Sequence, residues 1–184
     1  MRFFPAAVLV MLLFGASAFA HDLVWPGEKL KALFPEAVSF EQKNLYVSDE
    51  QKAAIEKALG SGLQEEDLKP SIYLAVVKAT PDSPPRKAAA IMFIDAFGKA
   101  GKIEMGVVVG GKGEIKKVVL FENKEHDAFS QQDFLGQFEG KKASDSFRAG
   151  SDVASPAGRE ETAQAVASGA KRGLLIINEM FRRR

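Results

Sequence analysis

The stretch Asp152-Val153-Ala154-Ser155-Pro156-Ala157-Gly158-Arg159-Glu160-Glu161 has the residue types of an anion seat. A helix N-terminus leaves its first amide N–H groups unpaired and carries about half a positive charge. Ser155 suits the N-cap, and Pro156 suits the first helical position, where no N–H is needed. Ala157 and Gly158 are small enough for a phosphate to approach the backbone. Arg159 adds a charged fork, and Asp152 would brace the loop. Glu160 and Glu161 pull the other way, because they already complement the dipole and repel a phosphate. From these residues alone, a plain capped helix and a phosphate seat both stand.

Little else in the chain has the spacing of a reactive constellation. With no cysteine, disulfides, thiolate metal sites, cysteine-held iron–sulfur clusters and thioether-linked haem are excluded. The two histidines, His21 and His126, could hold copper only if the fold brought them together, and nothing in the sequence does so; His126 reads as a loop residue. Gly110-Gly111-Lys112-Gly113 lacks the GK[ST] pattern and helix of a phosphate loop, so it reads as a turn. No Ser/His/Asp arrangement or carboxylate pair stands out.

The elements that would carry the stretch follow from pattern. Glu28 to Phe34 is helical up to Pro35, and Ser48-Asp49-Glu50-Gln51 is a capping box opening a second helix that Gly60 stops. Ile72 to Lys78 and Ala88 to Phe97 read as strands, separated by a proline-rich loop. Lys102 to Val109 and Glu114 to Phe121 form a hairpin about the glycine turn. Ser130 to Phe138 reads as a helix ended by Gly140. Val166, Ala170, Leu174, Ile177 and Phe181 mark one face of a C-terminal helix, in which Gly169 and Gly173 would allow close packing on the sheet. Helices, then antiparallel strands, then helices give an α+β class: a twisted antiparallel meander packed with flanking helices on one side, in a single domain.

Residues 1–20 have Arg2, an apolar run from Phe3 to Phe14, and Ala18 and Ala20 at the −3 and −1 positions of a secretory cleavage site. The expected mature chain begins at His21 and spans 21–184. The apolar run is shorter than the roughly 20 residues of a spanning helix, so an exported protein without a membrane span is expected, in the periplasm or at the outer face of the cytoplasmic membrane. The chain carries 25 basic and 24 acidic residues, a balance that argues against nucleic acid as a partner. Fourteen phenylalanines supply apolar material; Phe129, Phe134 and Phe147 read as core before they read as a ligand slot.

The order of segments over residues 88 to 175 resembles the FMN-binding domain family, which includes the flavoprotein subunits of Rnf and sodium-pumping quinone reductase complexes. The residues that carry the resemblance are Gly101-Lys102-Ile103, Gly113-Glu114-Ile115-Lys116-Lys117-Val118, Phe134-Leu135-Gly136-Gln137-Phe138-Glu139-Gly140-Lys141 and Asp152-Val153-Ala154-Ser155-Pro156-Ala157-Gly158. The resemblance implies an electron-transfer protein that holds FMN rather than transforming a dedicated substrate. Its cofactor site would be Asp152, Ser155, Ala157, Gly158 and Arg159, and its partner an inner-membrane redox complex or another electron-transfer protein. Two departures matter. The family's closing Thr, which carries FMN through a phosphoester, is Gly158 here, and its second glycine is Pro156. Thr162 lies a helical turn further on. Any flavin is therefore expected to be non-covalent. The alternative is a flavin-free family member that serves as an envelope binding or assembly module.

Overall fold

The computed structural model describes residues 27–182. The leader, the cleavage site at His21, Trp25-Pro26 and the last two arginines lie outside the described residues. The sheet has five strands, all antiparallel, in chain order: β1 (Ser39–Asn44), β2 (Ser71–Val77), β3 (Arg86–Gly98), β4 (Gly101–Gly110) and β5 (Ile115–Glu122). Around it stand α1 (Gly27–Leu33), α2 (Asp49–Leu59), the single turn α3 (Gln132–Leu135) and α4 (Glu160–Met180). This is the α+β meander expected from the pattern of elements.

The alternation of β3 and β4 assigns the two faces. Ile94, Met105, Val107 and Val109 point to the inner face, where they meet Val166, Ala170, Leu174 and Ile177 of α4, with Ile55 of α2 and Phe129, Phe134, Phe138 and Phe147 from the segments after β5. The α4 helix lies close on the sheet because of its glycines. A Cβ at Gly169 would fall 2.8 Å from Met105 Sδ, and one at Gly173 3.2 Å from Val107. Arg172, on the same helix, is buried. Its Nε lies 3.4 Å from Asp67 Oδ2, and its Nη2 donates to the carbonyl of Asp95. Burial pushes the Asp67 carboxyl above the usual carboxylate value, against the opposing pull of the Gln64 amide and Arg172.

Three features depart from the sequence reading. The β1 strand was not legible: five of its six residues are exposed, so it lacks the apolar alternation that identifies a half-buried strand. The expected helix Ser130 to Phe138 is instead the short α3 between 3₁₀ turns at Asp127–Ser130 and Gly136–Phe138. One phenylalanine from each of these three turns inserts edge to face, with ring centroids 5.0 Å apart for Phe129–Phe134 and 5.7 Å for Phe134–Phe138. Finally, the sheet is not covered on one side alone. The α1 helix packs Leu30 and Leu33 on the outer face against Tyr73, Ala75, Ala89, Ile91 and Val108.

Candidate functional site

The loop ahead of α4 is tied down by Asp152. One carboxylate oxygen accepts the Arg148 amide at 2.6 Å; the other accepts the Phe147 amide at 3.0 Å and the Lys141 ammonium at 3.1 Å. Burial pushes this carboxyl up, but the Arg148 amide, Lys141, the Ser146 hydroxyl and the Phe147 amide together outweigh it and hold its pKa at about 2. The knot fixes Phe147 in the left-handed region, at φ 53°, a conformation that a bulky residue adopts only where its surroundings force it. Its ring is buried, stacked on Phe138 at 6.4 Å, with the ammonium groups of Lys141 and Lys171 5.7 and 5.9 Å from its centroid. Gln164 of α4 donates to the Phe147 carbonyl and accepts from the Ala149 amide, so the loop is stitched to the helix it precedes.

Next, Gln137 clasps Ala154. Its Oε1 accepts the Ala154 amide at 2.6 Å and its Nε2 donates to the Ala154 carbonyl at 3.2 Å. Gln137 was visible in the sequence as the glutamine of Phe134-Leu135-Gly136-Gln137-Phe138, but its role as a clasp was not.

Ser155 does not cap α4. Its hydroxyl donates to the Pro156 carbonyl at 3.0 Å, and the helix begins only at Glu160, with Arg159 as N-cap and no side chain capping the first turn. The reason is the turn between them. The Arg159 amide donates to the Pro156 carbonyl at 3.0 Å, with Gly158 at φ 68°, the position where a type II turn needs glycine. Pro156 and Ala157 therefore lie in a reverse turn rather than the first helical turn. Ser155 faces a shallow depression of ≈ 270 Å³ beside Phe134 and Gln131.

Gly158 and Arg159 open on a different cleft, of ≈ 490 Å³, together with Lys99 from the β3–β4 turn and Lys124, Glu125 and His126 from the segment after β5. The five residues read from the sequence are thus divided by the fold. Gly158 and Arg159 line this cleft, Ser155 lies on the depression, Asp152 anchors the loop behind them, and Ala157 sits exposed in the turn. Lys99 and Lys124 are additions; both lie in turns far from the stretch in sequence, and no local motif marks them.

The floor of the cleft is a closed polar network. Glu125 accepts the Ala100 amide at 2.6 Å and the Thr162 hydroxyl at 3.0 Å, while the Thr162 oxygen accepts the Lys99 amide at 3.2 Å. Gly98 makes room for this, since a Cβ there would collide with the Glu125 carboxylate. Thr162 is 2 % exposed, so its hydroxyl is already committed. His126 accepts the Ala128 amide through Nδ1 at 3.2 Å, and among the described residues no group of acidic or histidine side chains is arranged to hold a metal ion.

The cleft has the chemistry of a phosphate site at one end. The amides of Glu160, Glu161 and Thr162 precede the first intrahelical bond, which Ala163 makes to Arg159. A Cβ at Gly158 would meet nothing within 4 Å, so the backbone there is open to a ligand. Lys99, Lys124 and Arg159 supply cations. Glu160 and Glu161 offset part of that charge, and no Phe, Tyr, Trp, Leu, Ile or Val side chain lines the walls.

No family model and no curated protein matches the chain. Among solved structures, the chain is similar to NqrC of Shewanella oneidensis, with 14 % sequence identity, 83 % of this chain and 87 % of that chain covered, and a TM-score of 0.51. The two chains share a fold over most of their length. No helix of the described residues is long and apolar enough to cross a membrane.

Proposed function

We propose that this chain is an FMN-binding electron-transfer protein that seats the flavin phosphate at the N-terminus of α4 and holds it without a covalent bond. The observation that carries the reading is the uncapped first turn of α4, introduced by left-handed Gly158 and facing a cleft with Lys99, Lys124 and Arg159 on its walls. Two likenesses support it: the motif order read from residues 88 to 175, and the fold shared with NqrC of Shewanella oneidensis.

The residues fit the phosphate end of the group better than its ring. Arg159, Lys99 and Lys124 would pair with the phosphate, the α4 amides would donate to its oxygens, and Asp152 and Gln137 would hold the loop in register. When bound, the flavin would supply the redox chemistry. Attachment has no acceptor in the seat, because Gly158 lacks a hydroxyl and the Thr162 hydroxyl is bonded to Glu125 and Lys99. Micromolar affinity needs about 8 kcal/mol, whereas each favourable charge at a helix end gives about 0.3–1 kcal/mol. With polar walls, the shortfall must be met by surface that the ring covers, and the flavin is held loosely. Export through the leader 1–20 to the periplasm or the outer face of the cytoplasmic membrane, and electron exchange with an inner-membrane redox complex or another electron-transfer protein, belong to the same proposal.

The polar lining and the acids Glu160 and Glu161 favour one rival, a flavin-free assembly module on the same fold. A spectrum separates the two. The exported form, purified from a flavin-replete host, should show flavin absorbance that denaturant releases completely from the polypeptide. Flavin retained after denaturation would overturn non-covalent binding. FMN titration should show binding in wild type that Arg159→Glu with Lys124→Glu abolishes; binding in neither protein favours the rival, and equal binding in both removes the seat from α4. Gly158→Asp is the poorer probe, because a left-handed position strains the backbone whatever the ligand does.

A further inference from the structure

We infer that the open edge of β1 is a docking surface for a second copy of this chain, with the two β1 strands paired antiparallel about Gln42. The inference is independent of the flavin reading.

β1 is the first strand in the order of the sheet and has a neighbouring strand, β2, on one side. Just beyond β1, Leu45 and Val47 turn their amides inward, to the carbonyls of Pro70 and Leu68. Alternation along the strand therefore turns the N–H and C=O groups of Phe40, Gln42 and Asn44 outward, away from β2. Among the described residues, no backbone group bonds to them on that side. An edge of this kind is a template for another strand. The opposite edge of the sheet is partly closed, because Ile115 of β5 accepts the Gly140 amide at 2.8 Å and donates to the Lys141 carbonyl at 2.9 Å.

The order of side chains about Gln42 selects a second copy. Glu41 and Lys43 flank it, so antiparallel pairing centred there sets each Glu41 opposite the Lys43 of the other copy and forms two cross-strand ion pairs on one face. A centre one residue earlier or later would set Glu41 or Lys43 against its own counterpart. The ends match as well. Val38 and Tyr46 stand at equal distances either side of Gln42 and are 57 % and 76 % exposed. The same pairing brings each Val38 opposite the other copy's Tyr46 and takes both from water. Within one copy, the competing pairs are weak: Glu41 lies 3.8 Å from Lys43 and 3.2 Å from Lys87, with all three side chains about half exposed.

The chain has no cysteine, so a single introduced thiol reports the register. Under mild oxidation, Gln42→Cys should give a disulfide-linked dimer, because the two copies of that residue face each other with Cα atoms about 5.5 Å apart. Ser39→Cys should not, because the same register holds its two copies about 20 Å apart. Sedimentation equilibrium of the purified protein, from micromolar to millimolar concentration, should show monomer and dimer in exchange. Lys43→Glu should weaken the dimer at least about tenfold by setting like charges opposite each other, and Glu41→Lys with Lys43→Glu should restore it. All these positions are exposed, and far-UV circular dichroism checks that each variant folds. Where one does not, wild-type sedimentation and the remaining variants decide. A protein that stays monomeric to the highest concentration overturns the inference. So does a dimer indifferent to the charge changes, or one that crosslinks through Ser39→Cys as readily as through Gln42→Cys, since its interface lies elsewhere.

Discussion

At Asp152, one carboxylate replaces the hydrogen-bond partners that a loop would otherwise take from water, and the consequence is a pH dependence with a definite sign. A carboxyl held at about 2 when folded, against roughly 3.9 in an unfolded chain, contributes stability that is fully present above the unfolded value and is lost as pH falls through the folded one. The linkage amounts to roughly 2 kcal/mol. Asp152→Asn should therefore lower stability at neutral pH by about that much, and the difference from wild type should shrink as pH falls from about 4 toward 2; urea unfolding across that range checks it. Ser155 gives the opposite lesson. As an N-cap its replacement by alanine would cost about 0.5–2 kcal/mol. Bonded only to the Pro156 carbonyl, Ser155→Ala should cost less than about 0.5 kcal/mol. Gly158→Ala, in contrast, should cost about 1–2 kcal/mol for its left-handed backbone, although nothing touches the added methyl. Thermal unfolding ranks the two substitutions. The sequence showed the right residues for a helix start, but one turn too early. Pro-Ala-Gly-Arg, with glycine third, is as good a signature for a type II turn as Ser-Pro is for a cap, and only Gly158 at positive φ decides between them.

Among the helices, α4 packs most extensively on the sheet, and its small residues face it. Gly169→Leu adds a side chain where even a Cβ would press on Met105 and Ala96, so it should destabilise by at least about 1–3 kcal/mol, despite the better helix propensity of leucine. Arg172 is the other sensitive point on the same helix. Arg172→Met leaves the buried Asp67 carboxylate without its cation and should cost about 3–5 kcal/mol at neutral pH. Because the pKa of Asp67 is already raised in the folded state, loss of the cation raises it further; protonation then removes the isolated charge. The penalty should therefore be smaller in mild acid than at neutral pH, as denaturant titrations at the two pH values would show. The elements themselves were legible wherever one face repeats: α4 by steps of three and four, β3 to β5 by β-branched residues and the glycine turn, α2 by its capping box. The structure preserves that box, with Ser48 and Gln51 reciprocally bonded. β1 was hidden because an edge strand with five of six residues exposed has no period, whereas α3 was read too long, because Phe134, Leu135 and Phe138 are spaced like one helix face although only Gln132–Leu135 is α-helical.

For the whole molecule, the inner core is one continuous cluster that includes residues of α2, α4, β2 to β5 and the phenylalanine segment. The protein should accordingly unfold in a single transition, with far-UV and near-UV circular dichroism coincident. Its mass should correspond to a chain that begins at His21, and a mass that includes residues 1–20 would refute cleavage. The site was less legible than the fold for a geometric reason. Asp152, Ser155 and Gly158 are neighbours in sequence, yet a loop knot and a reverse turn send them to three places, while Lys99 and Lys124 reach the Gly158 cleft from turns no motif marks. A helix signature reports only its own backbone, whereas a cleft is assembled by tertiary packing.

The strand order of the sheet also governs how the chain is assembled as it is made. Each strand pairs with its immediate predecessor, so the sheet can grow in the direction of synthesis: β2 returns to β1 after α2, and β3 to β5 then add without a crossover. The inner face, however, stays only partly covered until α4 arrives: Ile55 and the phenylalanine segment precede it, but Ile94, Met105 and Val107 are covered by residues 166 to 177. A nascent chain that stops short of α4 would thus carry all five strands with part of the sheet's apolar side open. Such a truncated chain should bind a hydrophobic dye that the chain with α4 does not, because docking of α4 completes the core.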